Sequence, residues 1–163
     1  MFLDNIDQIL KTMPHVQHGY YLPFHEDHLS NFKGLHEYGS KLLSTEDRKR
    51  GIAFQSKAGP SVTAFVNGNP VAVFGCVLLW RGVGEAWSLF TSESRRYPIA
   101  MTKGAISFFN SCQTLFNLHR LQITVNSNDK RAMSWAKALG FISEGLMVNF
   151  SADKDDTYMM RRK

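Results

Sequence analysis

The first apolar positions of the chain recur with a helical period. Four of them share the spacing of one helical face: Leu3, Ile6, Ile9 and Leu10. They predict a helix over residues 2–12, and Pro14 ends it because proline has no backbone N–H with which to continue a helix. The chain therefore begins with an amphipathic helix whose apolar face needs a partner.

The next segments predict one strand and two helices. Residues 19–24 form a short apolar run, and Pro23 within it favours an edge position, since proline cannot donate to a central ladder. A second helix is predicted over residues 25–39. A third runs from the capping signal at residues 44–47 to about Gln55.

The middle of the chain changes to the period of strands. Residues 62–66 alternate in polarity, and residues 71–80 and 85–91 are rich in β-branched and aromatic side chains. Asn-Gly within the turn at residues 67–70 is a strong hairpin signal, and a second glycine-containing turn covers residues 81–84. These segments predict a three-stranded antiparallel meander.

From Pro98 the apolar positions return to a helical period. One face of about five turns is predicted from Ile99, Thr102, Ile106, Phe109, Cys112 and Phe116. A strand over residues 119–125 follows, and then a helix that stops at Gly140, a plausible left-handed C′ glycine. Residues 146–150 and 157–160 predict the last two strands.

The composition fits one folded domain. With 163 residues, 44% hydrophobic and 20% charged, the chain is long enough to bury a core and too apolar for a disordered or histone-like basic protein. The order of elements over residues 1–163 predicts a single α/β domain with a mixed sheet. The formal net charge of +5 favours an anionic ligand without choosing between a nucleotide, a nucleic acid and an acidic protein.

Two further features predict a cytoplasmic location. No apolar run approaches the roughly 18 residues that a membrane span needs, and Asp4 lies where a signal peptide or presequence would carry basic residues. Cys76 and Cys112 lie in apolar runs rather than in a CxxC pair or a disulfide ladder. We therefore expect reduced thiols in the core.

The junction between the third meander strand and the long helix, residues 90–100, is the most informative segment for chemistry. A helix N-terminus offers free backbone N–H groups and the positive end of the dipole, which suit a phosphate or pyrophosphate. Arg95, Arg96 and Lys103 add positive charge there. A solvated connection explains the same residues equally well, so the segment does not decide the function alone.

Two stretches resemble motifs of the GNAT N-acetyltransferase superfamily. The superfamily's acyl-CoA loop, Q/R-x-x-G-x-G/A, follows a strand and opens a helix, and residues 95–100 match it at Arg95 and Ala100. Residues 128–145 resemble the run N-x-x-A/S…K-x-G-F-x-x-E-G, most closely in the branch that acetylates ribosomal-protein N-termini and antibiotics. The ending of that run, residues 139–145, is the more specific signal.

This resemblance implies a GNAT-like fold, a mixed and mostly antiparallel sheet of about seven strands flanked by helices. It implies acetyl-CoA as cosubstrate and direct attack by an amine of a protein N-terminus, a lysine or a small molecule, so neither cysteine serves as a nucleophile. It leaves open whether the chain forms a homodimer. The residues that it implies for contact with the cosubstrate are Trp87, Leu89, Phe90, Arg95, Arg96, Ile99, Ala100, Asn128 and Asp129.

The sequence departs from the family pattern at two positions. Pro98 replaces the first glycine of the acyl-CoA loop, which removes one expected N–H donor. Ala136 stands where many members carry the tyrosine that protonates the departing thiolate, and Ser134 on the same helix is our catalytic candidate there. Both departures keep open a catalytically weak or inactive GNAT-like structural or interaction protein, for example a phage-associated one.

Direct transfer also needs a base for the amine, commonly a carboxylate that acts through water. The resemblance places the third meander strand, at residues 87–90, against the cosubstrate. Glu85 and Glu93 are the acids nearest this cosubstrate strand. Glu85 is the better candidate because it begins that strand, whereas Glu93 lies beside the phosphate loop. Either residue also fits a solvated surface acid.

Three charged clusters have other interpretations. Residues 25–28, His-Glu-Asp-His, have the donor types of a metal site but no third well-spaced ligand, so we predict no metal. The resemblance places this segment on the acceptor side, where its side chains would contact the substrate. The basic runs at residues 48–50 and 161–163 are short and lack interleaved aromatic residues, so a solvated face explains them better than nucleic acid does.

Overall fold

The protein contains both helices and strands in the computed structural model. The structure describes residues 2–32 and 46–163, and the side chains of residues 5–32 and 49–163. The elements are α1 (Phe2–Thr12), β1 (Gly19–Pro23), a first 3-10 helix (Glu26–Asn31), α2 (Glu46–Lys57), β2 (Ser61–Val66), β3 (Asn69–Trp80), β4 (Val83–Phe90), a second 3-10 helix (Ser92–Arg96), α3 (Pro98–Leu115), β5 (Arg120–Asn126), α4 (Lys130–Ala138), β6 (Phe141–Met147) and β7 (Thr157–Arg162). The predicted α/β class is confirmed.

All seven strands belong to one sheet in the order β1-β2-β3-β4-β5-β7-β6. Neighbouring strands are antiparallel except β4 and β5, which are parallel. Helix α3 connects these two strands and returns the chain to the end of the sheet at which β4 begins. Strand β1 is an edge strand, as Pro23 predicted. The expected mixed and mostly antiparallel sheet of seven strands is therefore confirmed.

The two faces of the sheet carry unequal cores. Helices α1, α3 and α4 cover one face, where the largest fully buried side chains include Ile9, Phe74, Phe108, Leu121 and Phe141. The other face holds a smaller cluster in which Ile52 of α2 meets Val73 and Leu89. Partly buried aromatic and aliphatic side chains surround that cluster: Phe24, Leu29, Phe32 and Trp87.

Helix α3 buries a face that overlaps the predicted one in part, since Phe109 and Cys112 are buried as predicted and Ile106 and Phe116 pack against the core. Its buried positions are Met101, Gly104, Ala105, Phe108, Phe109, Ser111 and Cys112. Ile99, the first residue of the predicted apolar face, is 71% exposed, so the buried face does not extend to it. The observed face uses small residues to approach the sheet, because a Cβ on Gly104 would lie 2.6 Å from Tyr21 Oη. A prediction from the spacing of large apolar residues overlooks such small residues, although they lie on the buried face.

The last hairpin starts earlier than predicted. Gly140 has φ +92° and ends α4 as expected, but β6 begins directly after it and ends at Met147. The predicted strand over residues 146–150 is therefore wrong beyond Met147, and the following residues belong to the β6–β7 loop. That loop reverses through Asn149, which has a positive φ of 53°.

The second predicted helix begins as a 3-10 helix, Glu26–Asn31. The remaining part of that prediction, residues 33–39, and the capping residues 44 and 45 of the third helix lie outside the described residues. The third helix itself is present as α2.

In the described part of the chain, no helix is both long enough and apolar enough to cross a bilayer. Cys76 and Cys112 are free and buried, as predicted. Burial, together with the neighbouring Cys76 thiol, raises the pKa of Cys112 well above its ordinary value. A thiol in that environment stays protonated and is a poor nucleophile.

Candidate functional site

Strands β4 and β5 separate after their first residues. Their parallel pairing covers only Val83 with Arg120, Gly84 with Leu121 and Glu85 with Gln122. Both strands continue beyond these three residue pairs, β4 to Phe90 and β5 to Asn126. The edge of β4 over residues 86–90 that faces β5 therefore has no strand partner and can pair with an extended ligand. We call this opening the splay, and its closed end at Glu85 and Gln122 the vertex.

The predicted contact residues of β4 lie on both faces of the splay. Trp87 and Leu89 point to the face covered by α2, and Phe90 points to the face of α3 and α4. The Trp87 indole lies on Gly75, where a Cβ would come within 2.1 Å of the ring. Leu89 is buried, so it can offer a ligand only its backbone. The buried Trp87 Nε1 has no hydrogen-bond partner within the described residues.

Helix α3 begins beyond the wide end of the splay, which we call its mouth. Pro98 is its first residue and the Met101 N–H bonds to the Tyr97 carbonyl, so the helix offers no partner to the N–H groups of Ile99 and Ala100. A groove of about 350 Å³ lies beside this end, lined by residues 14–16, 96–100 and Lys103. Two free N–H groups, the helix dipole and two basic side chains make the groove suited to an anion.

The predicted anion-binding residues differ in position. Arg96, Ile99 and Ala100 line the groove, whereas Arg95 does not. Arg96 forms an ion pair of 3.4 Å with Glu93 across one turn of the second 3-10 helix. Because both partners are largely solvent-exposed, this pair is weak enough for Arg96 to exchange it for a phosphate.

The N-terminus of α4 follows the other strand of the splay, β5. Asp129 caps the helix, and its Oδ1 accepts from the Ala132 N–H at 3.0 Å. The side chain of Asn128 is exposed, and the backbone N–H of Asn128 donates to Asn126 Oδ1. Both predicted residues thus lie at the mouth of the splay. Asp129 already has a structural role there, which leaves Asn128 as the freer of the two.

Trp135 spans the space between α4, α3 and β4, which sequence reasoning missed. Its Nε1 donates to Thr102 Oγ1 at 3.1 Å, and its ring meets the Phe90 ring edge-on with centroids 5.0 Å apart. The neighbouring Ala136 is 2% exposed and belongs to the core, so a tyrosine ring at that position would have to displace its neighbours. Ser134 lies on the exposed side of α4 and stays a prediction as a catalytic residue.

Glu85 lies at the vertex of the splay, on the same face as Trp87. Its Oε2 accepts a hydrogen bond of 3.0 Å from Gln122 Nε2 on β5. Glu93, the other candidate base, lies in the second 3-10 helix and pairs with Arg96. Of the two acids, only Glu85 lies where β4 and β5 begin to separate.

The histidine cluster caps the first 3-10 helix. His25 Nδ1 accepts from the Asp27 N–H, and His28 Nδ1 accepts from the His25 N–H at 3.2 Å. His28 Nδ1 also lies 2.8 Å from Thr63 Oγ1, a buried hydroxyl that donates because Nδ1 is already an acceptor. The described residues contain no group of three or more potential metal ligands. The cluster is thus built as a helix cap.

Protonation of His28 should destabilise the fold. Burial, followed by the nearby His25, lowers the pKa of His28, and Asp27 opposes that shift. The unfolded chain therefore binds the proton first, and stability falls as pH drops from about 6.5 toward the folded-state pKa. We expect the urea midpoint to decrease over this window and the His28→Asn variant to reduce the decrease, since an Asn oxygen keeps an acceptor. The exposed His15→Asn serves as control, and an equal reduction there would refute the assignment.

Comparison of the sequence with protein-family models and with curated proteins finds no match. Solved structures do resemble the chain. Ard1 from Thermoplasma volcanium superposes with a TM-score of 0.73 at 15% identity, covering 90% of this chain and 97% of that one. An acetyltransferase of the GNAT family from Streptococcus pneumoniae gives 0.64 at 15% identity, covering 88% and 98%.

A third similar structure is RimL, the ribosomal L7/L12 alpha-N-protein acetyltransferase in complex with coenzyme A. It gives a TM-score of 0.69 at 12% identity and covers 92% of this chain and 96% of that one. At these identities the similarity establishes the fold. The chain has the GNAT fold, as the two motifs implied.

Proposed function

We propose that the protein is an N-acetyltransferase that moves an acetyl group from acetyl-CoA to an amine by direct attack. The observation that carries this proposal is the splay of β4 and β5 with Glu85 at its vertex, together with the start of α3, which follows β4 and lies beside a groove with basic side chains. The similarity to GNAT acetyltransferases, one of them in complex with coenzyme A, supports it.

The residues at the mouth suit the diphosphate of the cosubstrate. The N–H groups of Ile99 and Ala100 would donate to phosphate oxygens, while Arg96 and Lys103 would supply charge. Pro98 removes one donor from this set, so we expect charge to contribute a larger share of the affinity. The unpaired edge of β4 would hold the amide-containing arm as an added strand.

Glu85 would act as the general base. In the reaction the lone pair of a neutral amine attacks the thioester carbonyl carbon, the carbon–sulfur bond breaks, and CoA leaves as the thiolate. The proton lost by the amine goes to the Glu85 carboxylate, directly or through one water molecule. The acceptor would approach from the face that Glu85 shares with Trp87.

Titration calorimetry with acetyl-CoA and CoA tests the binding step. We expect saturable binding of both ligands that weakens as salt rises, because the basic side chains at the mouth are exposed and screened. Absence of binding at millimolar ligand would refute the proposed function. Acetyl transfer to peptides, polyamines and aminoglycosides, followed as release of free thiol, then tests the chemistry.

A second function is favoured by the interior of the splay. Ala136 cannot protonate a leaving thiolate, and Trp135 joins α4 to Thr102 and Phe90 across the space between the layers. These features suit a GNAT-like protein that binds a ligand or a partner without turnover. Tight CoA binding with no thiol release from any amine would favour this second function over the first.

A further inference from the structure

A chain of polar contacts leads from Glu85 across the sheet to β6. Gln122 Nε2 donates to Glu85 Oε2 at 3.0 Å, and Arg120 Nε donates to Gln122 Oε1 at 2.7 Å. The Arg120 guanidinium also donates to both carboxylate oxygens of Glu144, which Arg161 contacts at 3.5 Å. Four strands, β4, β5, β6 and β7, therefore contribute to one connected set of side chains.

The contact with Arg120 fixes which end of the Gln122 amide faces Glu85. An arginine Nε–H can only donate, so the Gln122 atom beside it must be the oxygen. The amide NH₂ group is then the end that faces the Glu85 carboxylate. A flipped amide would set its oxygen against that carboxylate and leave the Arg120 N–H facing an NH₂ group, which costs two hydrogen bonds.

The ion pair in turn fixes Arg120. A guanidinium that meets both oxygens of one carboxylate is held in orientation as well as in distance. The side chains of Arg120 and Glu144 are 31% and 35% exposed, so the pair lies partly sheltered on the open side of the sheet. The hydrogen bond from Arg120 and the two arginine charges lower the pKa of Glu144, which keeps it ionised.

We propose that Gln122 is a positioning residue for Glu85, and that Arg120, held by Glu144, sets the orientation of Gln122. This inference rests on the proposed function, because it gives Glu85 the role of base. Gln122 is the Cα partner of Glu85 in the last residue pair before the strands separate. Its N–H occupies Oε2, and no described residue bonds to Oε1, which is left for the amine or its water.

Gln122→Glu is the sharpest test, since it preserves shape and an acceptor for Arg120 but cannot donate to Glu85. We expect kcat for acetyl transfer to fall about 10- to 100-fold with the KM for acetyl-CoA unchanged. We also expect the acidic limb of the pH profile of kcat to move to higher pH. A lost donor and an added like charge both favour the neutral Glu85 carboxyl.

Three companion variants make the result specific. Gln122→Met, similar in shape and without polar atoms, should give the same kcat loss and serves if Gln122→Glu fails to fold. Arg120→Lys keeps the charge but not the Nε–H, so it should lower kcat without changing the KM for acetyl-CoA. Gln8→Met, at an exposed position of α1, should leave kcat and the pH profile unchanged.

The outcomes separate this inference from the proposed function. If the wild-type protein transfers acetyl groups and the Gln122 variants match it in kcat and pH profile, the positioning role is overturned while the function stands. If the wild-type protein binds acetyl-CoA but acetylates no amine, the proposed function fails and the positioning role fails with it.

Discussion

The Glu85→Gln variant should lose about 10²- to 10⁴-fold in kcat for acetyl transfer and keep the wild-type affinity for acetyl-CoA. The amide has nearly the shape of the carboxylate and can still accept the hydrogen bond from Gln122, so the fold should be preserved. What it cannot do is take a proton from the attacking amine. Steady-state kinetics with a saturating acceptor and calorimetry with acetyl-CoA measure the two quantities separately.

Glu93→Gln is the matched control, because Glu93 is the other acid near the cosubstrate strand. It forms only an exposed ion pair with Arg96, so its loss should change kcat little. A large kcat loss in Glu93→Gln with near wild-type kcat in Glu85→Gln would exchange the roles of the two acids. A full loss of acetyl-CoA binding in Glu85→Gln would instead assign Glu85 to ligand binding.

The positions of Glu85 and of the basic residues before α3 could be predicted from the sequence because both depend on local order. A meander followed by a long helix puts Glu85 on the third strand and the basic residues at the helix start, whatever the remaining packing. The residues that hydrogen-bond to Glu85, directly or through Gln122, could not be predicted from the sequence. Gln122 and Glu144 come from strands far along the chain, and only the register of β4, β5, β7 and β6 brings them together.

One signal for those partners is nevertheless present in the sequence. Strand β5 alternates polar and apolar residues, and its polar positions Arg120 and Gln122 fall on one face. Such alternation indicates an open face of the sheet, but it does not say what the polar side chains bind. Trp135 is a second residue whose contacts could not be predicted from the sequence. Nothing in the sequence says what its ring contacts, and only the packing shows that it reaches Thr102 and Phe90.

The two departures from the family pattern differ in physical meaning. Pro98 is well placed as the first residue of α3, where its missing N–H has no helical partner to lose, so it removes a ligand donor without weakening the fold. Ala136 belongs to the core, and a larger side chain there would overpack α4 against the sheet. The start of α3 therefore keeps the N–H groups of Ile99 and Ala100 for the proposed ligand, whereas a tyrosine at position 136 would require rearrangement of the core.

The Phe108→Ala variant should lower the free energy of unfolding by about 3–5 kcal/mol, the usual range when a buried phenylalanine is removed. Phe108 is fully buried, and its ring lies 6.4 Å from that of Phe74 and 5.7 Å from that of Phe109, so truncation leaves a cavity between α3 and the sheet. Urea denaturation followed by circular dichroism measures the change.

Ile99→Ala is the informative control, because the apolar spacing of the sequence puts Ile99 on the buried face of α3 and the structure leaves it 71% exposed. We expect its substitution to change stability by no more than about 0.5 kcal/mol. A cost at Ile99 equal to that at Phe108 would mean that α3 buries the face predicted from the sequence. Ile99 would then pack in the core instead of lining the groove at the start of α3.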